Sequence, residues 1–181
     1  GDPAVVLLAS YPADKSTLLT CTAVLISPTV LLTAAHCVDA ATHPGHTFGI
    51  FTGPDATAYD TIDKLLPELL AVSEVHAHPD YDPAPPFQAD IGVVVLAAPL
   101  DIAPLPIARD PLAQALVGEP ARIVGYGQIV YDDYNASKHA ATTVVASLPE
   151  GDTVVVGDAK HRSCVGDSGG PALVKIEGVE T

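Results

Sequence analysis

The segment 18–37 reads Leu18-Leu19-Thr20-Cys21-Thr22-Ala23-Val24-Leu25-Ile26, then Ser27-Pro28-Thr29, then Val30-Leu31-Leu32-Thr33-Ala34-Ala35-His36-Cys37. Two short apolar runs rich in β-branched residues and parted by a proline read as strands. The same texture recurs at 4–8, 47–51, 91–96, 121–124, 142–148, 153–156 and 172–176. With 17 Pro and 14 Gly between and around the runs, the pattern predicts an all-β chain, built as barrel or sandwich rather than from alternating strands and helices.

Two segments stand apart. In 63–75 the leucines 65, 66, 69 and 70 fall at helical intervals, but Pro67 would remove a helix hydrogen bond, so strand and loop are expected there. The stretch 104–117, punctuated by Pro104, Pro106 and Pro111, is the expected link between an N-terminal half, 1–105, and a C-terminal half, 106–181.

A chain of 181 residues that is 48% hydrophobic can bury a substantial core, as one domain or two tightly joined halves. Its 22 acidic and 8 basic residues give a formal net charge of -14, which repels phosphate backbones and anionic membranes and argues against nucleic acid or membrane as partner. Nothing approaches the roughly 18 apolar residues of a membrane span, and no basic and apolar leader opens at Gly1. Three cysteines allow at most one disulfide within the chain. Cys21 and Cys37, sixteen apart, would suit an oxidising compartment as a pair, with Cys164 left over; three reduced core cysteines would suit a cytosolic one.

The chemistry begins at Gly166-Asp167-Ser168-Gly169-Gly170-Pro171. Glycines on both sides let the backbone turn sharply, expose the hydroxyl and leave amide N–H groups unobstructed. A serine hydroxyl is a weak nucleophile that needs a base, itself oriented by an acceptor. His36 follows a strand and the small residues Ala34 and Ala35, and Cys37 can staple that turn to the run carrying Cys21. Asp90 leads directly into the apolar run Ile91-Gly92-Val93-Val94-Val95-Leu96, where a carboxylate must be hydrogen-bonded or paired. The other histidines, 43, 46, 76, 78, 139 and 161, are assigned to structure or solvent. Residues 166–170 also satisfy the G-x-S-x-G elbow of α/β-hydrolases, but that fold needs its acid and histidine after the serine. Only thirteen residues follow Ser168 and none is His, so the order here is His, Asp, Ser.

Thr-Ala-Ala-His-Cys at 33–37 together with Gly-Asp-Ser-Gly-Gly-Pro at 166–171 resembles the chymotrypsin/trypsin serine protease family. Cys21, Asp90-Ile91, His78-Pro79-Asp80-Tyr81 and Gly125-Tyr126-Gly127 extend the resemblance across the chain. It implies two antiparallel six-stranded β-barrels, the second incomplete here, with the active site between them. It also implies a Cys21–Cys37 disulfide, a triad of His36, Asp90 and Ser168, and an oxyanion hole from the amides of Gly166 and Ser168. A secreted, monomeric serine endopeptidase follows, acting on polypeptides without cofactor or metal and open to protein protease inhibitors.

The resemblance also sets expectations against this chain. The family's activating N-terminal Ile or Val pairs with the acid at 167, whereas this chain begins Gly1-Asp2-Pro3, so the expectation is a fragment of a longer precursor. A buried Asp167 without that partner would distort the oxyanion hole. Arg162, six before Ser168, falls at the base of the family's specificity pocket. There it disfavours cleavage after Lys or Arg and suits an acidic side chain; the competing reading leaves Arg162 in solvent.

The alternatives are an inactive protease-like binding module and a metal protein using His43 with His46 or His76 with His78, neither pair having a third ligand at a convincing spacing. Asn135-Ala136-Ser137 fits an N-glycosylation pattern.

Overall fold

The apolar runs pair into two antiparallel sheets in a computed structural model that describes residues 1–59, 61–84, 88–109, 112–129, 136–149 and 153–181. β1 (Val5–Tyr11), β2 (Leu19–Ser27), β3 (Val30–Thr33), β4 (Thr47–Phe51), β5 (Leu70–Ala77) and β6 (Gly92–Leu96) close into a barrel in the order β1-β2-β3-β6-β5-β4. β7 (Pro120–Gly125), β8 (His139–Ser147), β9 (Val155–Val156), β10 (Ala172–Ile176) and β11 (Val179–Glu180) form a five-stranded sheet in the order β11-β10-β7-β8-β9. The fold is all-β and chymotrypsin-like, with one closed barrel and an open second sheet. Among the described residues no helix is long and apolar enough to cross a membrane.

Strand alternation explains why β1 is apolar along most of its length. Val6 and Leu8 point into the barrel against Leu25, Leu31, Ile50 and Val94. The intervening Val5 packs on Val124 and Leu173, and Leu7 on Tyr126, Phe51 and Leu65. β1 is therefore the wall shared by the two sheets, buried on both faces, and each such Val or Leu contributes about 1.5–3 kcal/mol.

Segment 63–75 is strand from Leu70 on, as expected, but departs from the expected loop before it. A single helical turn, α1 (Ile62–Leu65), runs into a 3-10 turn at Leu66–Glu68, and only then does β5 begin. Pro67 lies in the first positions of the 3-10 turn, where a proline's missing N–H costs nothing, and Leu65 is buried on the outside of the barrel. In the connecting stretch 104–117 the described residues include a 3-10 turn at Gln114–Leu116. Leu105 is tied back to the barrel by its amide, which donates to the Leu25 carbonyl at 2.9 Å. Asn135 lies outside the described residues.

Candidate active site

β3 pairs with β6 so that Thr33 faces Gly92. That register sets the residues leaving β3 beside those entering β6, which brings His36 to Asp90 across 54 positions of sequence. A 3-10 turn, Ala35–Cys37, buries Ala35 and Cys37 and turns the intervening His36 outward. Cys37 is bonded to Cys21 of β2, fastening the turn to the barrel wall.

Asp90 holds His36 at two points. Its Oδ1 accepts from the His36 backbone N–H at 2.9 Å, and its Oδ2 lies 2.8 Å from Nδ1 of the ring. An ionised carboxylate is an acceptor only, so Nδ1 carries a proton, and in the neutral ring the lone pair is then on Nε2. The ring remains 40% exposed and the carboxylate 28%, which leaves Nε2 reachable. Just before Asp90, Ala89 takes the left-handed φ of +48°, and the Ile91 amide closes the turn onto the Ala89 carbonyl at 2.7 Å. For an alanine that backbone costs roughly 1–2 kcal/mol, and such strain clusters where a side chain must be aimed.

His43, assigned from sequence to structure or solvent, supports the same turn: its Nε2 lies 2.9 Å from the His36 carbonyl and so donates to it. Its Nδ1 is the one buried side-chain polar atom without a partner among the described residues.

Ser168 sits in the turn before β10. Gly166 has φ +97°, a conformation that favours glycine. Gly169 is pressed against the Thr33 hydroxyl and the Thr22 carbonyl so closely that a Cβ would not fit. The Ser168 carbonyl accepts from the Thr22 amide of β2 at 2.8 Å. Cys37 Sγ lies 3.9 Å from the same oxygen, a packing contact, since a disulfide sulfur has no proton to donate.

The expectation for Asp167 needs correction. Its carboxylate is half-buried but not unpartnered: Oδ1 accepts from Gly127 N–H at 2.8 Å and Oδ2 from Cys164 N–H at 2.9 Å. Two backbone donors satisfy the charge that sequence left stranded. The amides of Gly166 and Ser168 donate to no acceptor among the described residues.

His36, Gly166 and Ser168 line one cavity of about 870 Å³, walled also by Cys37, Leu19 and Val165. Within the described residues no hydrogen bond joins the Ser168 hydroxyl to the His36 ring. On the other side of Ser168 a second cavity of about 520 Å³ is lined by Arg162, Cys164 and Ala172, and Arg162 is exposed there. Cys164 is a free, exposed thiol. One set of three metal-ligand side chains gathers among the described residues, Cys21, His36 and Cys37, but its sulfurs are bonded to each other and offer no thiolate. His76 pairs with Glu74 at 3.0 Å and His161 with Asp158 at 3.2 Å. Thr22 and the Gly127 amide that serves Asp167 were not legible as site residues, because each acts through contacts far away in sequence.

Residues 9–179 match the family model described as Trypsin. Ovochymase of Halocynthia roretzi is 33% identical over 81 residues, 44% of this chain and 5% of that protein, so the chain spans about 5% of the length of this curated relative. Among solved structures, "Structure of GrC" has a TM-score of 0.75 at 20% identity, covering 97% of this chain and 80% of that one. The scabies mite inactivated protease paralogue S-I1 has a TM-score of 0.68 at 20% identity, covering 98% and 86%. Likeness at that identity speaks for the fold alone, and the family match runs through nearly the whole sequence: the chain belongs to the trypsin family.

Proposed function

We propose that the protein is a serine endopeptidase in which Ser168 is the nucleophile, His36 the general base and acid, and Asp90 the residue that orients His36. The observation that carries this reading is the two-point hold of Asp90 on His36, which in the neutral ring puts the lone pair on Nε2, at the rim of a cavity shared with Ser168. As Ser168 Oγ attacks a substrate carbonyl, its proton passes to Nε2, and the imidazolium formed is stabilised by Asp90. The proton then goes to the departing amine, leaving an acyl-enzyme that water hydrolyses by the same relay. The amides of Gly166 and Ser168 receive the developing oxyanion; losing one such donor typically costs about 10² to 10³ in rate.

On this reading the N-terminal unit, 1–105, carries base and acid, and the C-terminal unit, 106–181, carries the nucleophile. Substrates are polypeptides, and the site suits protein protease inhibitors as well. Arg162, exposed beside the second cavity, would pair with an acidic side chain next to the scissile bond. The Cys21–Cys37 bridge favours an oxidising, secreted setting, and the chain acts as a monomer.

A second reading, an inactive binding module, draws on the missing hydrogen bond between His36 and the Ser168 hydroxyl and on the likeness to an inactivated paralogue. Such bonds are often long until substrate arrives. An organophosphate serine probe decides between the two. Covalent labelling of the native protein at Ser168, lost in Ser168→Ala, is the expected result; a folded protein that resists the probe supports the second reading.

A further inference from the structure

Thr22 of β2 is fully buried, and each of its polar atoms has a partner at the reaction centre or beside it. Its backbone N–H donates to the Ser168 carbonyl at 2.8 Å. Its hydroxyl donates to the Gly166 carbonyl at 2.8 Å and accepts from the Tyr126 N–H at 3.0 Å. Its carbonyl accepts from the Thr33 hydroxyl at 2.9 Å. A hydroxyl has one proton, so the direction of the chain is set: Tyr126 N–H to Thr22 Oγ1–H to Gly166 C=O. In a buried setting such linked bonds strengthen one another.

We propose that Thr22 is a positioning residue for the oxyanion donors. The inference rests on the serine-protease reading above, because the Gly166 amide matters only if an oxyanion forms there. Gly166 has no Cβ to restrict its backbone and stands at φ +97°; its amide is aimed only if something else holds the residue. The hydrogen bond on its carbonyl does so, and the hydroxyl that makes it belongs to the barrel carrying His36 and Asp90. Thr22 touches neither substrate nor triad hydroxyl; it fixes one donor relative to the base.

The two roles of Thr22 separate cleanly. Substitution by valine keeps the shape and the backbone bond to Ser168, so the nucleophile stays anchored, but leaves the Gly166 carbonyl and the Tyr126 N–H without their shared partner. Thr22→Val is expected to lower kcat on peptide substrates on the order of 10- to 100-fold, below the about 10² to 10³ of deleting an oxyanion donor outright. KM and the acid limb of the pH profile should hold, because the His36–Asp90 pair is untouched. Thr22→Ser, which restores the hydroxyl, should recover most of the loss. Full activity in Thr22→Val, or equal impairment in Thr22→Ser, overturns the proposal.

Hydrogen exchange supplies an arm independent of catalysis. Amides of residues 164–170 should exchange faster in Thr22→Val and at the native rate in Thr22→Ser; unchanged protection in both overturns the positioning role whether or not the protein is active. If the native protein resists the serine probe, the enzymatic reading fails, and the exchange result alone then judges Thr22. Should Thr22→Val not fold, Thr22→Ala, which leaves room for a water, takes its place in both measurements.

Discussion

The closed barrel and the open sheet hold themselves together by different means. Six strands joined edge to edge leave the barrel no free rim, and Leu8, Leu25, Leu31, Ile50 and Val94 fill it at 2% exposure or less. The second sheet ends on strands of two residues, β9 and β11. It buries Val145 completely, yet Val155 and Val179 stand 42% and 57% exposed. The barrel can therefore present His36 and Asp90 from its own packing and one disulfide. The turn that carries Ser168 relies instead on hydrogen bonds from β2 and on the close fit of Gly169 to Thr33. Asp90 and His36 are built into the barrel, and Ser168 is fastened to it across the join.

The largest test of that contrast is Asp90→Asn. The amide cannot hold His36 with Nδ1 protonated as firmly, so kcat should fall by about 10⁴, the loss familiar where a triad histidine is left in the wrong tautomer. The melting temperature should move little, since the barrel core is untouched. Near-native activity in Asp90→Asn would mean that the barrel does not supply the catalytic pair.

Next in size is removal of the Cys21–Cys37 bridge by a double change to alanine. A bridge across a separation of 16 is worth roughly 3 kcal/mol by the loop-entropy estimate, measurable by denaturant titration. Hydrogen exchange should show β2 and β3 loosening before β7 and β8. The reverse order would break the comparison, because it would place the weaker fastening in the barrel.

The smallest effect concerns the join itself. Arg122 of β7 donates to Glu180 of β11 through two bonds, at 2.9 and 2.7 Å, and to Asp2, just before β1, at 2.7 Å. Its hydrogen bonds hold both carboxyls below their ordinary values of 3.8 for Asp2 and 4.5 for Glu180. A carboxyl with a lowered folded pKa stabilises the fold above its ordinary value, and that stability is lost as pH falls through the folded one. Arg122→Met should thus cost about 1–3 kcal/mol near neutrality. The gap between variant and native protein should close in acid, once both carboxyls are protonated. Thermal melts across the acid range check this; a gap that persists when both are neutral would assign the arginine's role to packing.

Much of this was legible in the sequence, and what was not has a common cause. Runs with hard punctuation gave strands at their expected bounds, as with β3, β4 and β10, and the spacing of Cys21, His36 and Cys37 suggested a stapled turn. The first half of segment 63–75 misled because Pro67 was weighed against a long helix, whereas the chain uses one helical turn and places the proline beyond it. Segment 153–156 yields only Val155 and Val156 as strand. Thr22 was invisible as a site residue, since a threonine inside a strand is ordinary and its hydroxyl partners lie 104 and 144 positions away. Asp167 was misjudged for the same reason: one of its two amide partners lies 40 positions away, and backbone donors leave no trace in composition.

The bond between the Thr22 amide and the Ser168 carbonyl alters where the molecule's seam lies. By chain order the serine belongs with β10, yet its carbonyl accepts from the backbone of β2. A small rocking of one sheet against the other would bend the chain behind the serine before it separated serine from histidine. On the proposed mechanism, the partners in proton transfer would move together although they lie far apart in the polypeptide.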